Sequence, residues 1–423
     1  MSAPGRPKRE LLPLGGAARS AQGAPMSAPG EATAEFDVLI AGAGLVGLAL
    51  APALAELGLT VALADRAPVA APPDPADESD WDSRVYAISP GSATFLRAVG
   101  AWQSLAPERV AAVERMRVAG DDGATLEFSA YDLGERALAW IVEERALRAA
   151  LVPRVHAAGV AIHAPRSFAA LAWSPDAGTL HFDDGGAVTA RLVVAADGLH
   201  SWVRTAAGMV AAVRPYGQTA VVANFACEHA HHGRARQWFR GDDGILAWLP
   251  LPGRRISIVW SAPEALAREL QGLDPKALAA RVAEAGAHAL GAFESITPAA
   301  AFPLAFMRLP SAVAHRLALA GDAAHGVHPL AGQGVNLGFG DAEALAAVLR
   351  ERGPVADAGT AVLLERYARR RVEPVRAMQA VTDGLWHLFA AAAPWVRTAR
   401  NLGMTAVDRL PLAKRLLAQS ALR

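Results

Sequence analysis

Residues 36–65 read FDVLIAGAGLVGLALAPALAELGLTVALAD. The unbroken apolar run at 36–41 predicts a strand buried on both faces. The chain then turns through Gly42-Ala-Gly44-Leu45-Val46-Gly47 into a helix near 46–57 and a second strand at 59–65. Gly42 permits the tight turn out of the strand. Gly44 lets the backbone approach a pyrophosphate, and Gly47 lets the helix pack closely on the sheet. The helix N-terminus offers free N–H groups and the positive end of its dipole to phosphates. The second strand ends in Asp65, followed by Arg66. An acid there accepts hydrogen bonds from adenosine ribose hydroxyls and disfavours a 2′-phosphate. Together these features predict a tightly held dinucleotide, NAD or FAD, rather than NADP.

The composition excludes several classes. The 423 residues include 41 basic and 41 acidic side chains, so the basic excess of a nucleic-acid binder is missing. The one cysteine, Cys227, rules out an internal disulfide and any thiol redox pair, and suits a reducing compartment. Apolar residues make up 52%, enough for large cores and suggestive at first of a membrane protein. Val38–Ala55 carries no charge and approaches spanning length. Its three glycines and Pro52 favour the strand and turn instead.

Residues 1–35 read as a tail rich in Gly, Pro, Ala and Ser. The pentapeptide MSAPG occurs at 1–5 and again at 26–30, which suggests a translation start at Met26. Beyond 36, strands are expected at 114–119, 124–129, 188–195, 219–226, 244–250, 255–260 and 316–320. Helices are expected at 91–99, 143–158, 275–287, 341–351 and 360–380. The mixture implies an α/β fold, with a parallel sheet carrying helices and a second, largely antiparallel sheet.

Two later segments extend the motif set. Residues 191–204 read RLVVAADGLHSWVR, a buried strand running into Asp197-Gly198, then Ser201 and Arg204. Residues 317–336 read LALAGDAAHGVHPLAGQGVN, another buried strand running into Gly321-Asp322. A polar, glycine-rich loop follows, with His325, His328, Pro329, Gly332, Gln333, Gly334 and Asn336, before a helix near Asp341. These motifs, with DSRVYAIS at 82–89, VWS at 259–261 and TDGLWHLF at 382–389, resemble the FAD-dependent aromatic hydroxylases. Within these single-component flavoprotein monooxygenases the likeness is to the ubiquinone-biosynthesis subgroup. HPLAGQGVNLG at 328–338 is the most specific segment, and the likeness spans roughly 36–420.

The resemblance implies a FAD-binding, Rossmann-like three-layer domain built from 36–112, 141–208 and 309–352. A mainly antiparallel substrate domain, 113–140 and 209–308, interleaves with it, and 353–423 form a C-terminal helical region. Asp322 is expected at the ribityl hydroxyls and the loop 329–336 at the flavin's pyrimidine edge. Arg84 is expected near the flavin, and Asp197 and Arg204 on the pyrophosphate side. Where Glu144 stands, the subgroup often carries asparagine. The implied chemistry is reduction of FAD by NAD(P)H, reaction with O2 to a C4a-hydroperoxide, and oxygen transfer to an aromatic carbon. The implied substrate is a polyprenyl phenol, with a quinone-biosynthesis complex as partner.

No catalytic residue is required beyond the cofactor, since FAD carries the hard chemistry. His325 and His328 are the titratable candidates in the late loop, either fixing it by hydrogen bonds or relaying a proton. Cys227, His229, His231 and His232 cluster, but read as a solvated loop rather than a metal centre. Trp238, Phe239, Trp248 and Trp260 could line a substrate pocket, although aromatics at strand spacing are more often core. The stretch 381–423 could touch a membrane surface or dock on the other domain. A cytoplasmic protein, peripheral on the inner face of the membrane, is the expected location. The rivals are a hydroxylase of soluble aromatics and a non-catalytic FAD-binding subunit. A halogenase is disfavoured, because Ala247-Trp248-Leu249-Pro250 does not match its signature and no lysine lies in the core region.

Overall fold

Five strands of the first sheet run parallel and end level, and this fixes where a ligand can sit. The computed structural model describes residues 34–77, 80–353, 356–391, 393–410 and 414–415. The tail expected up to residue 35, apart from its last two residues, and the start at Met26 lie outside the described residues, as does most of 411–423. Residues Thr33–Arg423 form one compact unit.

The first sheet is ordered Val313–Ala314, Leu317–Leu319, Ala187–Ala195, Phe36–Ala41, Val61–Ala64, Ala161–His163. Phe36–Ala41 pairs in parallel with both Val61–Ala64 and Ala187–Ala195, and the latter pairs in parallel with Leu317–Leu319. The apolar run has a simple cause. Val38 and Ile40 enter a core with Leu48, Leu63, Phe339 and Leu345. Leu39 and Ala41 enter a second core on the opposite face, with Phe168, Phe182 and Val193. Alternate side chains thus bury on both faces.

The second sheet is ordered Phe293–Ser295, Ala212–Cys227, Arg255–Pro263, Ile245–Leu251, Arg234–Phe239, Arg115–Ala119, Thr125–Ser129. Ala300–Arg308 pairs with the long strand Ala212–Cys227 as well. Its pairs are antiparallel except Arg234–Phe239 with Arg115–Ala119. The register between Ala212–Cys227 and Ala300–Arg308 breaks between Pro215 and Thr219. Such irregularities re-aim side chains beside functional sites. A third sheet joins Val85–Ile88, Ala139–Glu143 and Ala111–Val113.

Two helical expectations need correction. The helix expected from 341 begins at Gly334 and runs to Arg350. A Cβ at Gly338 would strike the Val46 side chain. The helix expected at 360–380 runs Ala361–Ala390, straight through Pro374, and a further helix spans Pro394–Arg409. The aromatic candidates for a substrate pocket are core. Trp248 and Trp260 are fully buried, and Phe239 stacks on Phe389 with ring centroids 3.7 Å apart. Trp238 packs edge-on against Trp248. Among the described residues, no helix is long and apolar enough to cross a membrane.

Candidate functional site

Ala41 stands level with Ala64 and with Ala195, and Ala195 with Leu319. The residues just past these four positions are Gly42, Asp65, Ala196-Asp197 and Ala320-Gly321-Asp322. Ligands of open α/β sheets bind outside the carboxyl ends of the strands. Three motifs far apart in sequence are therefore delivered to one edge by pairing alone.

The glycine turn has the geometry its sequence demands. Gly42 adopts φ +111°, and a Cβ there would overlap the Ala196 carbonyl. At Gly47 a Cβ would overlap the carbonyl oxygen of Gly42. At Gly44 a Cβ would meet nothing within 4 Å. The first two glycines are thus required by the protein itself. The third leaves room against something else. A cleft of about 240 Å³ lies beside it, lined by Gly42, Gly44, Asp65, Arg66, Phe168, Ala196, Asp197 and Gly198. The helix Leu45–Ala55 has no side-chain cap. Its first N–H groups are the kind that bind phosphate oxygens. Leu45 is buried and Val46 packs against Gly321 and Gly338. Both hold the turn rather than face the cleft. Asp65 closes it, accepting from Ala43 N at 2.5 Å and from Ala67 N at 2.7 Å.

Asp197 accepts from Ser201 Oγ at 2.5 Å and from Val203 N at 3.1 Å, while bordering the cleft. Arg204 does something other than its expected pyrophosphate role. It is buried, and donates to the carbonyls of Ala323 and Leu199, each at 2.9 Å. It braces the Asp197 turn against the Asp322 turn.

Asp322 opens on the site, while the surrounding protein desolvates it and pushes its carboxyl pKa up; His325 and Arg84 pull it down. Arg84 makes an ion pair with Glu144 at 3.0 Å and lies 4.9 Å over the Phe302 ring. Tyr86 donates toward Glu144 at 3.4 Å, and burial followed by that carboxylate drives its hydroxyl pKa up. Glu144 therefore sets a negative charge beside Arg84.

The late loop is half helix. Gly332 takes φ +65°, and the helix begins at Gly334 with no side-chain cap, where a loop was expected over 329–336. Asn336 does not reach outward. Its Oδ1 accepts from Ser89 N at 2.9 Å and its Nδ2 donates to Ala87 O at 2.8 Å. Gln333 is buried next to it. Pro329 opens a short turn in which Gly332 N bonds Pro329 O at 3.0 Å.

The two histidines have different surroundings. His325 Nε2 lies 2.6 Å from Asp341 Oδ2, whose other oxygen meets Arg371 Nε at 2.6 Å. Burial, the largest single influence, opposes charge on His325, but the Asp341 carboxylate and its hydrogen bond, with Asp322, together raise the imidazole pKa. Asp341 Oδ2 also accepts from Gly321 N at 2.8 Å. His325 thus fixes the turn that carries Asp322. His328 is fully buried, and burial lowers its pKa to about 4, so it is neutral near pH 7. Its Nε2 is 3.0 Å from Gln218 Oε1, which also accepts from Trp386 Nε1 at 3.1 Å. An indole N–H can only donate, so the amide oxygen faces both rings and His328 carries its proton on Nε2.

Sequence reasoning missed several of these groups. Arg148 donates to Ala43 O at 2.8 Å and steadies the glycine turn from another helix. Arg214 lies over Tyr216, Phe306 and Trp386 at 5.2–5.6 Å and pairs with Asp383. Of these, TDGLWHLF carried the only signal, because it places Asp383 and Trp386 on one helix.

A site of this kind, with a glycine turn, a ribose-side acid and a third strand end carrying Asp322, suits a long flavin dinucleotide. Residues 35–382 match the family model described as FAD binding domain, and the chain belongs to that family of FAD-dependent monooxygenases. Within it, the chain belongs with the ubiquinone-biosynthesis hydroxylases. It is 36% identical to ubiquinone hydroxylase UbiL of Rhodospirillum rubrum, covering 95% of this chain and 94% of that one. It is 35% identical to the 3-demethoxyubiquinol 3-hydroxylase of Escherichia coli, covering 91% and 98%. Among solved structures, Klebsiella pneumoniae HpxO with FAD and uric acid shares the fold at TM-score 0.70 and 19% identity, covering 90% and 96%. Pseudomonas aeruginosa PqsL does so at 0.71 and 24%, covering 87% and 99%.

Proposed function

We propose that this protein hydroxylates the ring of a polyprenylated phenol on the path to ubiquinone, with NAD(P)H as the reductant of its FAD. The level strand ends that bring Gly44, Asp65, Asp197 and Asp322 to one edge carry this reading. Similarity to ubiquinone-biosynthesis hydroxylases, at 35–36% identity over nine-tenths of the chain, supports the substrate class.

Bound FAD supplies electron transfer and oxygen activation. The residues present fit it. Gly44 leaves open space where a pyrophosphate would approach, and the uncapped helix at Leu45 offers N–H groups to it. Asp65 would hold the ribose hydroxyls and Asp322 the ribityl chain, and the helix start at Gly334 would offer N–H groups to the pyrimidine edge. Arg84 holds a positive charge beside Asp322 and limits its protonation. The division of labour follows the sheets. The parallel sheet holds the cofactor, and the antiparallel sheet, with Phe302 and the Tyr216–Gln218 irregularity, covers the reacting ring. Excluding water there protects the oxidant. We place the protein in the cytoplasm, peripheral to the membrane and associated with other quinone-biosynthesis enzymes.

Gene deletion followed by profiling of quinone intermediates tests the reading. One under-hydroxylated prenyl phenol should accumulate, and its structure names the ring position. An unchanged quinone pool would contradict it.

A further inference from the structure

The antiparallel sheet has one packed face and one open face. Leu246, Trp248, Ile258 and Trp260 are fully buried, in a core with Leu270, Leu278 and Val282 of the helices behind them. Ala247 and Val259 alternate with these residues and are only half-buried, although both stand in the middle of the sheet. Val259 pairs with Val222, and Ala220, two residues before it, pairs with Phe302. Phe302, with Arg84 lying over its ring, therefore belongs to the open face.

One row runs straight across this face. Val118 pairs with Gln237, Gln237 with Ala247, Ala247 with Val259 and Val259 with Val222. Every member is apolar except Gln237. It is 6% exposed, yet its carboxamide makes no hydrogen bond with any described residue. A buried amide left unpaired is costly, and native proteins seldom keep one without a use. Asn224, further along the same face, is spent on the protein instead, its Nδ2 donating to Asp82 O at 2.8 Å.

The surroundings of Gln237 show where the amide looks. Phe239, two residues on, and Val118, its cross-strand partner, both bury in one cluster with Leu330. Ala235, two residues before, buries in a cluster with Ala87, and a Cβ at Gly332 would come within 3.1 Å of the Ala87 Cβ. Gln237 thus faces the turn Leu330–Gly332, immediately before the helix that starts at Gly334.

We propose that Gln237 recognises the ring hydroxyl of the substrate and so sets which ring carbon meets the flavin. The proposal rests on the functional reading for its substrate class, a phenol. A carboxamide suits that group: Oε1 accepts the phenol O–H, and Nε2 offers donors to an oxygen on the neighbouring ring carbon. An amide accepts the hydrogen bond without taking the proton, so the ring is held as a neutral phenol. One amide in an apolar wall also rejects the same ring without its hydroxyl, because the amide would then stay unpaired.

The test is titration of the oxidised, full-length holoprotein with 2-prenylphenol and with prenylbenzene, which lacks only the hydroxyl. Binding is read as the change in flavin absorbance. The wild type should bind the phenol about tenfold more tightly, as expected for one hydrogen bond to an otherwise unpaired group. Gln237→Leu and Gln237→Met keep the bulk and lose the amide. Both should retain FAD and bind the two compounds alike, at the wild-type affinity for prenylbenzene. With 2-prenylphenol they should also release more hydrogen peroxide and less hydroxylated product for each NAD(P)H consumed. Discrimination that survives in either variant would overturn the proposal. So would a wild type that binds both compounds equally, a result that needs no variant to fold. A wild type that discriminates through Gln237 but hydroxylates no phenol would contradict the functional reading alone.

Discussion

His328 donates its Nε2–H to Gln218 across 3.0 Å, with its imidazole wholly inside the protein. Burial lowers its pKa to about 4, against about 6.5 in an unfolded chain. The unfolded state therefore binds the extra proton between these values. The stabilisation is complete above pH 6.5 and is lost as pH falls toward 4, by about 3 kcal/mol in all. His328→Gln should flatten this acid limb in denaturant titrations between pH 7 and 4. An unchanged limb would mean that another group carries it.

The His325–Asp341 pair behaves in the opposite sense at its basic end. The His325 pKa is raised in the folded state, so its contribution is whole below about pH 6.5 and lost as pH rises through the raised value. The Asp341 pKa is lowered, so its contribution is present above about pH 3.9 and lost as pH falls through the lowered value. Asp341→Asn leaves His325 and Arg371 without their shared anion. Removing one member of a buried pair costs about 3–5 kcal/mol. Thermal unfolding should show that loss near neutral pH, together with weaker FAD retention because one amide oxygen cannot serve Gly321 N, His325 and Arg371 together. Unfolding indistinguishable from wild type would count against the pair as the brace of the Asp322 turn.

The three glycines of the turn separate folding from cofactor binding. Gly42→Ala and Gly47→Ala place a methyl group onto backbone carbonyls and should yield little folded protein. Gly44→Ala meets no protein atom, so the chain should fold normally and lose FAD affinity alone. Circular dichroism and flavin absorbance of purified protein read the two effects. Full flavin occupancy in Gly44→Ala would place the pyrophosphate elsewhere.

These contrasts show where the sequence was informative. Phe36–Ala41, the glycine turn and Asp65 were legible because local rules act there: alternating burial in a strand, and steric room at named glycines. The late helix was misjudged because Gly334, Gly338 and Gly340 read as loop residues. Only the approach of Val46, almost 300 residues earlier, shows Gly338 to be a packing requirement. Arg204 and Asn336 looked like cofactor ligands by position, but their polar atoms are spent on backbone groups of distant segments. Gln218 carried no signal. Its role arises when Trp386 and His328 converge on one oxygen.

The helix Pro394–Arg409 makes a stability prediction of its own. Asp121→Ala removes the carboxylate that ties Arg400 and Asn401 to the Arg115–Ser129 hairpin, leaving the buried Arg400 guanidinium with the Leu388 and Ala391 carbonyls but no counter-charge. Limited proteolysis should then cut near 391–394 well before the rest of the chain. Cleavage at the wild-type rate would show that the Asp121 carboxylate is not what holds the helix.

The central claim is that FAD held at the level strand ends puts one atom of O2 into a phenol ring. Holoprotein supplied with NAD(P)H, the phenol that accumulates in the deletion strain and ¹⁸O2 measures this directly. The predicted result is a hydroxylated product carrying one ¹⁸O, formed in proportion to the NAD(P)H consumed. Consumption of NAD(P)H with hydrogen peroxide as the sole product, or a hydroxyl oxygen drawn from water, would contradict it.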